Sequence, residues 1–235
     1  MIFSNIQFRH IRSHLTMSLL QQIGLLITKD LRLEWRQRYA LSGILLYVVS
    51  TVMVVYLSLS NPQPAMWTAV LWIILLFASV NAVAKSFMQE STSRQLYYYT
   101  IASPQAIIVA KMLYNVLLLL LLASIGMLVY STLLGNPVEN IPLFLGIVAM
   151  GACSFALCFT LIAGIAAKAG KSAVLMPILS FPIIIPTLGL LVRTSKVAVL
   201  GIDDIDLNKD LGILAALNLM QLTLSYILFP FLWKD

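Results

Sequence analysis

Of the 235 residues in the chain, 60% are hydrophobic and only 10% are charged, against about 45–50% apolar and ~25% charged in an ordinary soluble domain. Long stretches carry no charge at all, which excludes a water-soluble core and makes lipid the solvent for most of the chain. The formal net charge of +6 does not point to nucleic acid, because the cations gather at alternate connections between apolar runs, a distribution that signals membrane topology.

In hydrocarbon the backbone polar groups are satisfied only within helices or in a closed barrel. The apolar runs are about twenty residues long and rich in Leu, Ala and Met, without the alternation that barrel strands need. The predicted fold is therefore all-α: a polytopic membrane protein with six transmembrane helices, an N-terminal interfacial amphipathic helix, and both termini in the cytoplasm. It reads as a single permease domain over residues 1–235, with a cytoplasmic or interfacial arm at 1–39 and a six-helix membrane region at 40–235.

In the arm, residues 15–27 are apolar but too few to span, and they are bracketed by Arg12 and Lys29. A signal-peptide core of this length would be followed by a small-residue cleavage site. Instead the charged pattern Lys29-Asp30-Leu31-Arg32-Leu33-Glu34-Trp35-Arg36 follows. As an interfacial helix, the arm would place Leu19, Leu20, Ile23, Leu26 and Ile27 in the acyl boundary. Lys29, Arg32 and Arg36 would face lipid phosphates, with Trp35 at headgroup level. A loosely attached basic arm is the alternative.

Six charge-free segments follow, at 41–59, 65–84, 112–134, 142–166, 173–192 and 211–233, each of 19 to 25 residues. At ~1.5 Å per residue each can cross a hydrocarbon core of about 30 Å. Turn signals separate them at Asn61-Pro62-Gln63-Pro64 and Gly135-Asn136-Pro137. The arm, the second and fourth connections with their flanks, and the tail hold twelve of the Lys and Arg residues. The opposite side holds only Arg193, Lys196 and Lys209, offset by Asp203, Asp204, Asp206 and Asp210. The positive-inside rule makes the twelve-charge side cytoplasmic.

The second connection, at 85–104 on the cytoplasmic side, is much longer than a tight turn. It contains Phe87, Glu90, Arg94, the run Tyr97, Tyr98, Tyr99, and then Ser103-Pro104. Ser103 suits a helix N-cap and Pro104 the first helical position, so a short helix is predicted to begin there and lead into the third span. Exposed aromatics beside an acid and a base are suited to docking a partner, since aromatics supply buried area and charges set register. From the residues alone, an interfacial loop with its tyrosines at headgroup level fits as well.

An acid near the end of the second span, a base soon after it, and a Ser-Pro with a Lys opening the third resemble the membrane subunits of ABC-2-type exporters. Phe87-x-x-Glu90, Gln95-Leu96, Ser103-Pro104 and Lys111, with the charged arm at 29–36, are similar to CcmB, the permease family of the haem exporter in cytochrome c maturation. The chain departs from that pattern at Ser91-Thr92-Ser93, where Asp-Gly is usual, and at Glu90, where Asp is commoner. The resemblance implies a non-catalytic subunit in the inner (cytoplasmic) membrane. It also implies a separate CcmA-like ABC ATPase, CcmC-like and CcmD-like membrane partners, a second copy of the chain, and haem as cargo, not as a bound cofactor. In that picture Phe87, Glu90, Arg94, the three tyrosines, Ser103 and Pro104 form the ATPase-coupling segment. A permease for another amphiphile and a non-transporting scaffold remain the alternatives.

Ala169-Gly170-Lys171-Ser172 imitates part of a phosphate-binding loop, but the upstream glycine, Gly164, is one residue too early and no buried strand precedes it. Nucleotide hydrolysis is thus expected in a partner chain. The fifth span contains Pro177, Pro182 and Pro186, each of which removes a backbone donor. They are candidates for a moving or path-lining element, with passive kinks as the alternative. Small residues in the fourth span, among them Gly146, Gly151, Ala152, Ser154, Ala156, Ala163 and Gly164, allow close helix packing. The connection at 193–210 alternates apolar and acidic residues, as a surface cap or a partner contact on the outer face would. The six segments hold no carboxylate, Lys or His, which disfavours a proton- or ion-coupled transporter and fits a large, mostly apolar cargo. Cys153 and Cys158 are five apart in one run, pointing about 140° away from each other on a helix, and read as packing residues. The two histidines, His10 and His14, both lie in the arm.

Reporter tags test the topology. A tag between the second and third spans is expected inside the cell, and one at Asn61 to Gln63 outside. The reverse pattern overturns the assigned orientation.

Overall fold

The computed structural model of the chain describes residues 18–36, 38–59, 62–88, 102–168, 172–201 and 206–233. The regular elements among these residues are all α-helices. In chain order they are α1 (Leu19–Arg36), α2 (Arg38–Ser58), α3 (Pro64–Met88), α4 (Pro104–Leu134), α5 (Ile141–Lys168), α6 (Ser172–Leu200) and α7 (Leu207–Trp233). Helices α3 to α7 are each long and apolar enough to cross a membrane. In α2 the apolar helix Ser42–Ser58 is shorter.

Two boundaries differ from the sequence reading. The short helix expected to begin at Ser103 and the third span are one uninterrupted helix, α4, of 31 residues. Helix α6 runs on to Leu200, so Arg193 and Lys196 lie on its final turns and not in a surface segment. Of that segment, 207–210 opens α7, and 202–205 lies outside the described residues. Arg193, exposed on α6, reaches the buried Asp210 of α7, with Nε 2.9 Å from Oδ2, and ties the end of one helix to the start of the next.

Helix α5 is the hub, packed against α3, α4, α6 and α7. Two thirds (67%) of its apolar window is buried, against 17% for α7, which explains why the small residues concentrate there. Lipid tails are as apolar as leucine, so helices in a bilayer associate through close packing and hydrogen bonds, not through exclusion of water. Ala152, Ser154, Ala156 and Ala163 are buried. A Cβ at Gly151 would run into the Trp72 ring of α3 and lie 3.1 Å from Leu191 of α6. Trp72 in turn donates its indole N–H to Ser195 Oγ of α6 at 2.9 Å. One glycine and one tryptophan thereby set the spacing of three helices.

At the end of the bundle where α4 stops and α5 starts, Tyr130 donates to the Trp67 carbonyl at 3.0 Å and Trp67 Nε1 to the Gly135 carbonyl at 3.1 Å. The Trp67 ring lies 4.9 Å from Tyr130 and 5.9 Å from Phe144, centroid to centroid. Gly135 closes α4 at φ 79°, a conformation that residues with a side chain rarely adopt. Asn140 N–H donates to the Ala198 carbonyl of α6 at 3.0 Å. This end is called the far end below, and the opposite one, which carries α1, the arm end.

Replacing Gly151 with Leu is expected to lower stability by about 1–3 kcal/mol through overpacking. Trp72→Phe removes part of the clashing ring and should make the Gly151 substitution less costly. Thermal unfolding in detergent of the two single variants and the double variant checks this, and strict additivity counts against the interlock.

Candidate functional site

At the arm end, α1 is bound to the bundle through its polar residues. Positions 23, 27, 30 and 34 recur at helical spacing and form one stripe. Ile23, Asp30 and Glu34 on it are buried, and Ile27 is partly so. Ile23 packs against Ala106 and Ala110 of α4. Farther along the same face, Asp30 meets Lys111 of α4 (Nζ to Oδ2, 3.4 Å) and its own neighbour Lys29 (Nζ to Oδ1, 3.0 Å). The Tyr114 hydroxyl donates to Glu34 Oε2 at 2.7 Å, and Lys111 Nζ also lies 5.8 Å from the centre of the Tyr114 ring. Lys111 Nζ donates to the Ser86 carbonyl in the last turn of α3 at 3.2 Å.

Asp30 and Lys111 are each only 6% exposed. Two carboxylates, Asp30 and Glu34, face two ammonium groups, Lys29 and Lys111, so the formal charges in the cluster balance. Desolvation offsets most of what a buried pair gains, and the main effect of such a cluster is to fix position; removing one partner strands the other, at ~3–5 kcal/mol.

A second tie lies nearer the start of α1. Gln22 Oε1 accepts the Ser103 backbone N–H at 3.1 Å and lies 3.3 Å from Ser103 Oγ. Ser103 Oγ also accepts the Ala106 N–H at 3.3 Å as the N-cap of α4, with Pro104 at the first helical position. Helix α1 therefore holds Ser103 directly and Ser86 through Lys111, the two ends of the connection that joins α3 to α4. Of the residues expected in that connection, Phe87 belongs to the last turn of α3, and Ser103 and Pro104 open α4. Glu90, Arg94, Tyr97, Tyr98 and Tyr99 lie outside the described residues, as do His10 and His14 of the arm and Gly170 and Lys171.

The expectation that Ile23, Leu26 and Ile27 dip into lipid is corrected, because Ile23 is buried on α4 and the other two pack partly around it. The exposed apolar residues of the arm are Leu19, Leu20, Leu25, Leu31 and Trp35, with Arg32 and Arg36 also exposed. The acids that the sequence reading left unassigned, Asp30 and Glu34, are the ones turned into the protein. The signal was their spacing of seven and eleven from Ile23. It was masked by their basic neighbours, which made the whole segment look like a surface for phosphates.

One step toward the bundle centre, buried Asn115 donates to Thr160 Oγ1 of α5 at 2.8 Å, and Ser154 Oγ pairs with Asn218 Oδ1 of α7 at 2.6 Å. Asn115 Oδ1 and both ends of the Gln221 amide are buried without a hydrogen-bond partner among the described residues. The candidate moving prolines separate: Pro182 and Pro186 lie on the exposed face of α6, whereas Pro177 lines a cleft of about 500 Å³ at the arm end, shared with α2 and α3.

A bundle of long apolar helices, with a polar-anchored amphipathic arm at one end, defines a multi-pass α-helical membrane protein. The family profile described as CcmB protein matches residues 21–231 of the chain. The chain belongs to the CcmB family, and the match begins inside α1, so the arm is part of the shared pattern. No curated protein matches the chain.

Lys111→Met is expected to strand Asp30 and loosen α1, making the arm several-fold more sensitive to limited proteolysis. Asp30→Leu combined with Lys111→Met should be less sensitive than Lys111→Met alone, since no unpaired buried charge is left. Equal sensitivity of the two variants would show that the pair does not hold the arm.

Proposed function

We propose that the chain is the permease subunit of an ABC exporter that serves haem delivery for cytochrome c maturation, with ATP hydrolysis in a separate CcmA-like chain. Family membership supports the haem-maturation setting, and the balanced excess of Lys and Arg supports six spans, α2 to α7, with the arm end in the cytoplasm of a cell with an inner membrane. A second copy of the chain and CcmC-like and CcmD-like membrane proteins complete the proposed assembly.

The observation that supports the mechanical part is that Gln22 of α1 holds Ser103, while Lys111 of α4, itself paired with Asp30 of α1, holds the Ser86 carbonyl. A segment that receives a push from an ATPase transmits it only if its ends are fixed to rigid elements. Here one end is fixed to α1 directly and the other through Lys111, which α1 pairs. Closure of an ATPase dimer on Glu90, Arg94 and the Tyr97 to Tyr99 run would then move the start of α4 and the end of α3 together, with α1 as the strut. Because α3 and α4 both pack on α5, the displacement would pass to the hub and bias the bundle between two arrangements.

Glu90→Lys, and alanine at Tyr97, Tyr98 and Tyr99, are expected to leave membrane insertion intact while reducing recovery of the co-expressed ATPase tenfold or more and abolishing holo-cytochrome c. Normal ATPase recovery with normal cytochrome maturation rejects the coupling assignment. Loss of ATPase recovery with normal cytochromes points to a permease for a different amphiphile.

A further inference from the structure

Helix α7 meets the rest of the bundle along one narrow stripe, and that stripe is more polar than a membrane interior calls for. Its buried residues are Asp210, Leu214, Gln221, Ser225 and Phe229, which recur as a single helix face requires. Asp210 has Arg193, and the Ser225 hydroxyl donates to the Gln221 carbonyl of its own helix at 2.7 Å. The Gln221 side chain, 2% exposed, has a hydrogen-bond partner at neither end. It stands near the middle of the apolar span Leu207–Phe231, where solvent does not reach and an unpaired amide is costly.

Asn115 of α4 is short of a partner in the same groove. Its NH2 group donates to Thr160 Oγ1, whose own proton goes to the Ala156 carbonyl, and its Oδ1 is buried and unpaired. Turning the amide over would only exchange an orphaned oxygen for an orphaned NH2. Ser154 meets Asn218, and the Phe229 ring lies against Gly164, so α5 and α7 run side by side in one direction. Gln221, three residues past Asn218, is therefore level with Leu157, and Asn115 is level with Thr160. The two amides thus differ in depth by three residues, about 4.5 Å of helix rise. They also share a face: Phe229, two turns beyond Gln221 on the α7 stripe, packs with Leu157 and with Met112, one turn before Asn115.

We infer that Asn115 and Gln221 hold an internal water in the groove between α4, α5 and α7, within the membrane. The water donates to Asn115 Oδ1 and accepts from Gln221 Nε2, and its second proton reaches Gln221 Oε1 directly or through a second water. These groups supply the about two to four polar contacts that keep a water inside a protein. The bridge joins α7 to α4, where direct side-chain hydrogen bonds join each of them to α5. It depends on neither the cargo nor an ATPase.

Hydroxyl-radical labelling tests the assignment, because radicals made from a water held inside the bundle oxidise only the side chains beside it. In the purified chain reconstituted in nanodiscs, brief X-ray exposure is expected to label Met112 and Leu157, both buried, and to leave Phe155, buried against Trp72 of α3, unlabelled. Gln221→Leu and Asn115→Leu should each lower the labelling of Met112 and Leu157 several-fold. Each should also lower the thermal transition, and the double variant should lose no more than the larger of the two single losses, since either change alone breaks the bridge. Absence of label at Met112 and Leu157 in the wild-type protein overturns the inference without any variant having to fold. A rise in thermal stability with Gln221→Leu, as removal of an amide that merely lacks a partner would give, overturns it too, as do strictly additive losses, which would mean two separately satisfied amides.

Discussion

The arm end is organised around one buried lysine. Lys111 sits near the start of α4, where an uncompensated ammonium is costly, and it is met by Asp30 from α1 and the Ser86 carbonyl from α3. Those two contacts come from segments far apart in the chain, so satisfying the charge forces three helix ends into one place. Glu34 and Tyr114 repeat the tie one turn farther on. In water an exposed ion pair of this kind adds little, because solvent competes for both partners. At 6% exposure solvent is absent, and breaking the pair leaves a charge with nowhere to go.

The rest of the bundle is held by different means, as its solvent demands. With no gain from removing apolar surface from lipid, α5 draws its neighbours in by being narrow, and the neighbours reach across with the few polar groups that the chain carries in the membrane. Trp72 to Ser195, Asn115 to Thr160 and Ser154 to Asn218 each join two helices. Most of the other hydroxyls in the spans bond back to their own helix, as Ser79 does to Leu75 and Thr194 to Leu190, and so contribute nothing between helices. This division makes α5 the packed centre, whereas α7 is the span with the least of its apolar window buried.

Two cations a few residues apart in space thus have different roles. Lys111 is enclosed and neutralised by the arm, and it positions. Lys85 lines the cleft between α2, α3 and α6, beside Gly43.

Composition by itself determined the class, because a chain with a tenth of its residues charged, and those grouped between apolar runs, has no folding solution in water and only helices in lipid. The runs at 65–84, 142–166 and 211–233 gave α3, α5 and α7 to within a few residues, and Ser103-Pro104 marked the start of α4, since N-capping is a local interaction readable from four residues. The small residues of the fourth span likewise announced close packing. What a linear reading could not supply was the partner of each polar group. Hydropathy counts Arg193 as the end of a span, whereas α6 continues past it with the arginine exposed and paired to the buried Asp210 of α7. The same counting set Asp30 and Glu34 among solvated charges, when Lys111 and Tyr114, 80 residues on, take them inside. Of the three prolines in α6, only the arrangement of α2 and α3 around it decided that Pro177 would meet a cavity. Helix formation is a property of neighbours in sequence; the cost of burying a charge is settled by neighbours in space, and those exist only once the helices have been brought together.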